Sequence, residues 1–230
     1  MDYTQYFKSI IDLGYIEDGK SLVAQCVYGT LADDDFMHKY YWSKLKPNSI
    51  TEEELSGKYN MVKVEGHDFY ICKYAVSQGE WEKMYKGSND NPSCFKKGDN
   101  YPVERVSWYD AMLYIMKLNK ETGLCFRLPS EKEWVWACEY SKAHKRNVDS
   151  VAWHRGNSGG RSHPVRETPK RISGDHGIKN MLGNVWEWCS DWSIEGGSRH
   201  VSRGGSWSFA AGSASSSSRY YGNPNSGNYS

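Results

Sequence analysis

Apolar positions along the chain change period twice. Up to about Leu55 they recur at helical spacing, with Tyr6, Phe7, Ile10 and Ile11 followed by Phe36, Tyr40 and Tyr41, and Thr51 with Glu54 forms a capping box. From Met61 the period shortens. Met61, Val62 and Val64 face Phe69 and Ile71 across the turn-prone Glu65-Gly66-His67, which predicts a β-hairpin. Three helix starts follow, at Ser77 with Glu80, Ser107 with Asp110, and Ser130 with Glu133, each ahead of apolar residues at i, i+3 and i+4. Their expected buried faces are Trp81, Met84 and Tyr85; Ala111, Tyr114, Ile115 and Leu118; and Trp134, Ala137 and Cys138. Beyond about Ser141 the chain is rich in Gly, Pro, Ser and Asn, so loops on a small sheet are expected there.

Composition sharpens this picture. Ten Trp and 17 Tyr among only 38% hydrophobic residues point to a core of aromatic plugs, and to an irregular α+β protein. With 29 Lys and Arg against 28 Asp and Glu, no global field recruits nucleic acid or an anionic membrane. The six cysteines contain no C-x-x-C pair and are expected to be mostly buried thiols. No apolar run approaches the ~20 residues of a membrane span, so direct membrane insertion is not expected. Met1 to Ile16 carries no basic segment leading into an apolar one, hence no export signal is read there.

Five stretches occur in a fixed order: Asn91 to Lys96; Asp99 to Ala111, containing Tyr101-Pro102-Val103; Phe126 to Trp134, containing Arg127-Leu128-Pro129-Ser130; Asn180 to Trp188, containing Gly183-Asn184-Val185-Trp186-Glu187-Trp188; and Arg203-Gly204-Gly205-Ser206-Trp207. Each has a local reading. Pro129 disfavours helix at Leu128 while Ser130 caps the next helix, and Gly183-Asn184 permits a tight turn before two indoles spaced i, i+2. Together, from about Met61 onward, they resemble the family of formylglycine-generating enzymes, sulfatase-modifying factors and their non-catalytic relatives. The resemblance implies a formylglycine-generating-enzyme-type C-type lectin-like fold, α+β, with small antiparallel sheets, few helices and much irregular loop. The expected division is a helical elaboration over 1–57 and a lectin-like domain over 58–230.

Family members often bind calcium at the fourth motif. The resemblance places Asn180 and Glu187 side chains with the carbonyls of Gly183 and Val185 around the ion, a donor set that suits a hard cation. The alternative is Glu187 bonded to loop groups without metal, so no cofactor is required and a structural calcium stays open. The family's other calcium region falls near Trp153 to Pro164, where Gly156-Asn157-Ser158-Gly159-Gly160 replaces the acid-bearing stretch.

Catalysis is not expected, and no catalytic residue is assigned. Oxidase members carry two copper-binding cysteines shortly after the Gly-Gly-Ser motif. Phe209 and Ala214 stand at those positions here, and no cysteine follows Cys189. The histidines His38, His67, His144, His154, His163, His176 and His200 show no H-x3-H spacing, which disfavours the iron-dependent relatives, and no G-x-S-x-G elbow is present.

The last stretch, Ser208 to Ser230, has one charge, Arg219, amid Ser, Gly, Asn, Ala and Tyr, with one Phe and one Pro. A flexible Gly/Ser tail is the plain reading, but Phe209, Tyr220, Tyr221 and Tyr229 combined with Ser and Asn are what paratopes use. Lys, Glu, Gln, Met and Trp are all missing, and these five cannot arise when adenines of asparagine codons are mutated. The stretch thus resembles the variable region, about 203–230, of proteins diversified by retroelements. The resemblance makes Ser208, Phe209, Ala210, Gly212, Ser213, Ser218, Tyr220, Tyr221, Gly222, Asn223, Asn225, Ser226, Asn228 and Tyr229 the varied ligand-contacting positions, with Trp207, Arg219 and Pro224 fixed. It also implies a closing strand beyond Ser230.

The function expected is therefore receptor-like or adhesin-like binding of an unknown macromolecule, protein or surface glycan, with no nucleic-acid partner. Alternatives are a formylglycine-generating oxidase or iron-dependent relative, and a non-catalytic structural module of fixed sequence. The resemblance places such a protein at the cell surface where a leader has been removed, and the lack of a signal peptide places it otherwise in the cytoplasm.

Overall fold

Three of the elements start where a hydroxyl and a carboxylate cap each other. Thr51 with Glu54, Ser77 with Glu80 and Ser130 with Glu133 form reciprocal capping boxes, opening α1 (Glu52–Tyr59), α2 (Gln78–Met84) and, further on, α4 (Glu131–Tyr140). These come from a computed structural model that describes residues 48–85, 91–171, 175–194 and 197–227. The helical periodicity expected around Tyr6 to Ile11 and Phe36 to Tyr41 lies outside the described residues. Between α1 and α2 runs the predicted hairpin, β1 (Met61–Lys63) antiparallel to β2 (Tyr70–Cys72), with Val62 opposite Ile71.

The chain divides into two compact units, one of Met1–Ser49 with Tyr109–Arg127, the other of Ile50–Trp108 with Leu128–Ser230. In the first, the body of α3 (Trp108–Thr122) buries Met112, Tyr114, Ile115, Met116 and Asn119. Ala111 and Leu118, expected on the buried face, are only half-buried. The stripe is centred on Met112, Ile115, Met116 and Asn119, which follow the i, i+3, i+4, i+7 rule as well as the expected set. Asn119 is inside because its amide brackets the backbone of Phe126, donating to O at 2.8 Å and accepting from N at 2.7 Å.

The second unit holds the rest. Among the described residues after α4, a four-residue helix, α5 (Val148–Val151), and short 3-10 turns interrupt the loops. A three-stranded antiparallel sheet then forms in the order β3 (Glu187–Trp192), β4 (His200–Arg203), β5 (Arg219–Gly222). Every residue of β4 is buried. Trp134, Ala137 and Cys138 of α4 are fully buried in the core, alongside Ile178, Met181, Leu182, Cys189 and Val201. The indole-centred core read from composition is therefore realised at Trp134, while Trp186 and Trp188, expected as plugs, are only half-buried.

Candidate binding surface

Residues directly opposite in an antiparallel pair share a face, so the register of this sheet sorts its side chains into two sets. Glu187, Arg203 and Arg219 form one row, and Trp188, Ser202 and Tyr220 form the next, on the other face. Tyr221, opposite Val201, belongs with the first face.

On that first face α4 closes the sheet. Trp134 Nε1 donates to Glu187 Oε2 at 2.6 Å, and the Arg203 guanidinium lies over the Trp134 ring. Glu131, the first residue of α4, pairs with Arg203 at 2.8 Å and takes both Nε and Nη2 of Arg219. One carboxylate thereby bridges two arginines, and the pairing with Glu131 raises the Arg219 guanidinium still further. Arg203 Nη1 donates to the carbonyls of Ser216 and Ser218 at 3.1 Å each, so an arginine of the Arg203-Gly204-Gly205-Ser206-Trp207 motif holds the serine turn ahead of β5. Gly204 and Gly205 have φ of +98° and +83°, and a Cβ on either would meet backbone, of Met181 and of Ser213 respectively. Arg219 also donates to the Tyr221 hydroxyl at 3.0 Å and lies over its ring.

On the opposite face the tail packs on Trp186. Its ring meets Phe209 edge-on at 5.5 Å and Tyr220 at 5.6 Å, and its Nε1 is buried without a partner among the described residues. The segment is not a loose linker. Ser158 Oγ donates to Trp207 O at 2.9 Å, Arg155 N donates to Phe209 O at 2.8 Å, and Trp207 N donates to Asn184 O at 2.9 Å. Exposed on this framework are Ala210, Gly212, Tyr220, Tyr221, Asn223, Asn225 and Ser226, with Ser208, Phe209, Ser213 and Ser218 half-buried. Asn228 and Tyr229 lie outside the described residues.

Gly222 requires a correction. It is buried, and a Cβ there would run into the Trp188 ring, so it cannot serve as a surface contact. Tyr220 and Tyr221, both among the expected ligand-contacting positions, stand on opposite faces of the edge strand β5.

The bracketing loop around Trp153 to Pro164 is held by histidines. Trp153 stacks on His163 at 3.6 Å, His154 Nε2 meets Asp149 at 2.7 Å, and Gly156 N donates to His154 Nδ1. The fully buried Asn184 locks the loop by bonding both N and O of His163. His200 is fully buried, stacked against Trp108 and Trp192, with Nδ1 toward the carbonyls of Ser190 and Asp191; burial drives its pKa down to about 4. His67 stacks on Trp136 and His176 on Tyr140. Most of these rings are thus packing elements, and the described residues contain no cluster of three or more His, Cys, Asp or Glu that could hold a metal.

The four residues assigned to calcium are placed as follows. Gly183 and Asn184 both take positive φ, 72° and 65°, forming the expected tight turn, and Gly183 bridges Trp153. Asn180 donates through Nδ2 to Val165 O, while its buried Oδ1 has no partner among the described residues. Val185 is buried. Desolvation pushes the Glu187 carboxyl up to about 7, against the lowering effect of the Trp134 hydrogen bond. An orphaned amide oxygen and a carboxylate poorly stabilised as an anion are groups a hard cation would satisfy, so the donor types fit.

A family model for the sulfatase-modifying factor enzyme 1-like domain matches residues 44–229. The chain belongs to this family. Among relatives, the chaperone protein LppX of Paenibacillus barcinonensis is 28% identical over 61% of this chain and 69% of its own length. The mouse formylglycine-generating enzyme is 30% identical, over 51% of this chain and 36% of that enzyme, so the chain spans only about a third of the enzyme it matches. The solved structure of Treponema denticola variable protein 1 shares the fold with a TM-score of 0.60, covering 70% of this chain and 81% of that one at 24% identity. The fold is thus the C-type lectin-like one of formylglycine-generating enzymes.

Burial and spacing alone could not reveal three residues that hold this sulfatase-modifying-factor-like surface. Arg155 and Ser158 bracket the tail from some 50 residues upstream, and Glu131 gathers two arginines from two strands. The local signal at Glu131 is an acid in the first turn of α4, which the helix dipole favours whatever its partners.

Proposed function

We propose that this chain is a non-catalytic ligand-binding protein whose tail, from about Ser208, is a retroelement-diversified surface on a lectin-like scaffold, displayed at the cell surface. The observation that carries this reading is the separation of roles in the tail. Its backbone is tied down by Ser158, Arg155, Arg203 and Asn184, while Ala210, Gly212, Tyr220, Asn223, Asn225 and Ser226 are exposed on it. Side chains there can change without disturbing the bonds that hold the segment, which is what a varied binding site needs.

The lack of catalysis is supported by Phe209 and Ala214. Phe209 packs on Trp186 and Ala214 is buried, so neither position offers a thiolate for copper. The buried thiols Cys138 and Cys189 are driven up in pKa by desolvation, the former to about 12, and are poor nucleophiles. The kinship with formylglycine-generating enzymes favours a second reading, oxidation of a cysteine peptide; aerobic turnover with copper would establish it. If calcium is bound, Asn180, Glu187 and the carbonyls of Gly183 and Val185 would hold it, and it would neutralise the Glu187 carboxylate and brace the 180–187 turn. Its contribution reads out as a rise in Tm with added calcium, and an unchanged Tm rules it out.

Sequencing the gene from several isolates tests the main reading. Adenine-templated changes at the exposed tail positions, with Gly222 and the Arg203 to Trp207 motif constant, are expected. A tail invariant among isolates would leave a structural module of fixed sequence.

A further inference from the structure

Charge is distributed unevenly around this surface in a chain whose overall balance is close to neutral. No Asp or Glu follows Glu195, so the tail itself supplies no negative charge. Its own arginines lie away from the Tyr220 face, since Arg203 and Arg219 converge on Glu131 on the α4 side of the sheet. The loop that brackets the tail on the other side belongs to a stretch, Ser141 to Trp186, with nine Lys and Arg against three Asp and Glu. Within it, Arg155 and Arg161 are exposed and form no ion pair with any described residue. Arg155 donates its backbone N–H to Phe209, and Phe209 shares Trp186 with Tyr220. Ser158, three residues before Arg161, holds Trp207. Arg155, without an ion pair among the described residues, thus joins through its backbone the segment in which Phe209 and Tyr220 meet Trp186.

From this juxtaposition we infer that the ligand face is the Tyr220 side of the sheet alone, and that its partner is an acidic protein surface whose Asp and Glu carboxylates are received by Arg155 and Arg161. The inference rests on the reading of the tail as a binding surface and specifies its ligand class. Guanidinium forks match carboxylates two bonds at a time, while Tyr, Phe, Ser and Asn supply contact area and adaptable hydrogen bonds. Because the arginines lie on the scaffold loop, outside the varied segment, they impose an acidic preference on every variant of the tail. Tyr221 sits on the face closed by α4 and Arg219 and takes no part.

The test uses the full chain, immobilised and panned against a phage-displayed random peptide library, with the Asp and Glu content of selected peptides compared with the input. Enrichment of acidic peptides is expected. A synthetic peptide from that selection should bind the Arg155→Glu/Arg161→Glu protein on the order of tenfold or more less tightly, and the Arg155→Gln protein by an intermediate factor. Binding should also weaken on raising salt. Tyr220→Ala should cost affinity while Tyr221→Ala leaves it unchanged; both residues are exposed, and Tm reports whether each variant is folded. Selection without acidic enrichment, or equal binding by the charge-reversed protein, overturns the inference. Tight binding of heparin, with no acidic peptide selected, overturns it in favour of an acidic polysaccharide. If the arginine variants lose binding while Tyr220→Ala has no effect, the loop binds anions without the tail, and the reading of the tail as a paratope fails separately.

Discussion

The α4 side of the sheet and the Trp186 side differ in what they can tolerate. On the α4 side polar side chains are tied across elements: Trp134 to Glu187, Glu131 to Arg203 and Arg219, Arg203 to two serine carbonyls. On the Trp186 side the backbone is equally restrained, yet Ala210, Gly212 and Tyr220 are exposed to solvent. Order and mutability are therefore separable. A segment can be rigid through bonds made by its carbonyls and amides while its side chains carry no structural duty.

That contrast breaks most visibly at Trp134, which is fully buried. Trp134→Ala should cost about 3–5 kcal/mol in denaturant unfolding, leaving the desolvated Glu187 carboxyl without its indole donor. A loss below about 1 kcal/mol would mean that α4 does not hold the sheet. Next comes Gly205→Ala, expected to cost at least about 1–3 kcal/mol because of its positive φ, with the contact on Ser213 added to that strain.

His200 gives a pH-dependent version of the same comparison. The unfolded imidazole takes a proton near 6.5 and the folded one only near 4, so its stabilisation is complete above 6.5 and falls as the pH drops through that window. By pH 5 the loss from this group should reach about 2 kcal/mol. A flat stability profile from pH 7 to 5 would show that the ring is not held neutral.

The smallest effects belong to the exposed side. Gly212→Ala, with nothing within 4 Å of the added Cβ, and Tyr220→Ala should each shift stability by less than about 0.5 kcal/mol. Losses as large as that of Gly205→Ala would erase the distinction between scaffold and surface.

Reading the sequence located α1, α2 and α4 through reciprocal capping boxes, and the β1–β2 hairpin through alternating residues, because both signals are local. The buried faces of α2 and α4 followed at Trp81, Trp134, Ala137 and Cys138. α3 was offset because Asn119 is drawn inward by the backbone of Phe126, an interaction no hydrophobic period records.

For the tail, composition by itself distinguished an aromatic, nearly uncharged surface from a linker, since residue types set what a segment can bury or offer to a ligand. Which of those residues reach solvent was decided by the sheet register. Gly222 lies under Trp188, and Tyr220 and Tyr221 are separated onto two faces, because adjacent residues of a strand point in opposite directions. The partners of the segment, Arg155, Ser158 and Glu131, lie between about 50 and 90 residues upstream. Only folding brings such groups within hydrogen-bond distance, and no local pattern encodes a contact made at that separation.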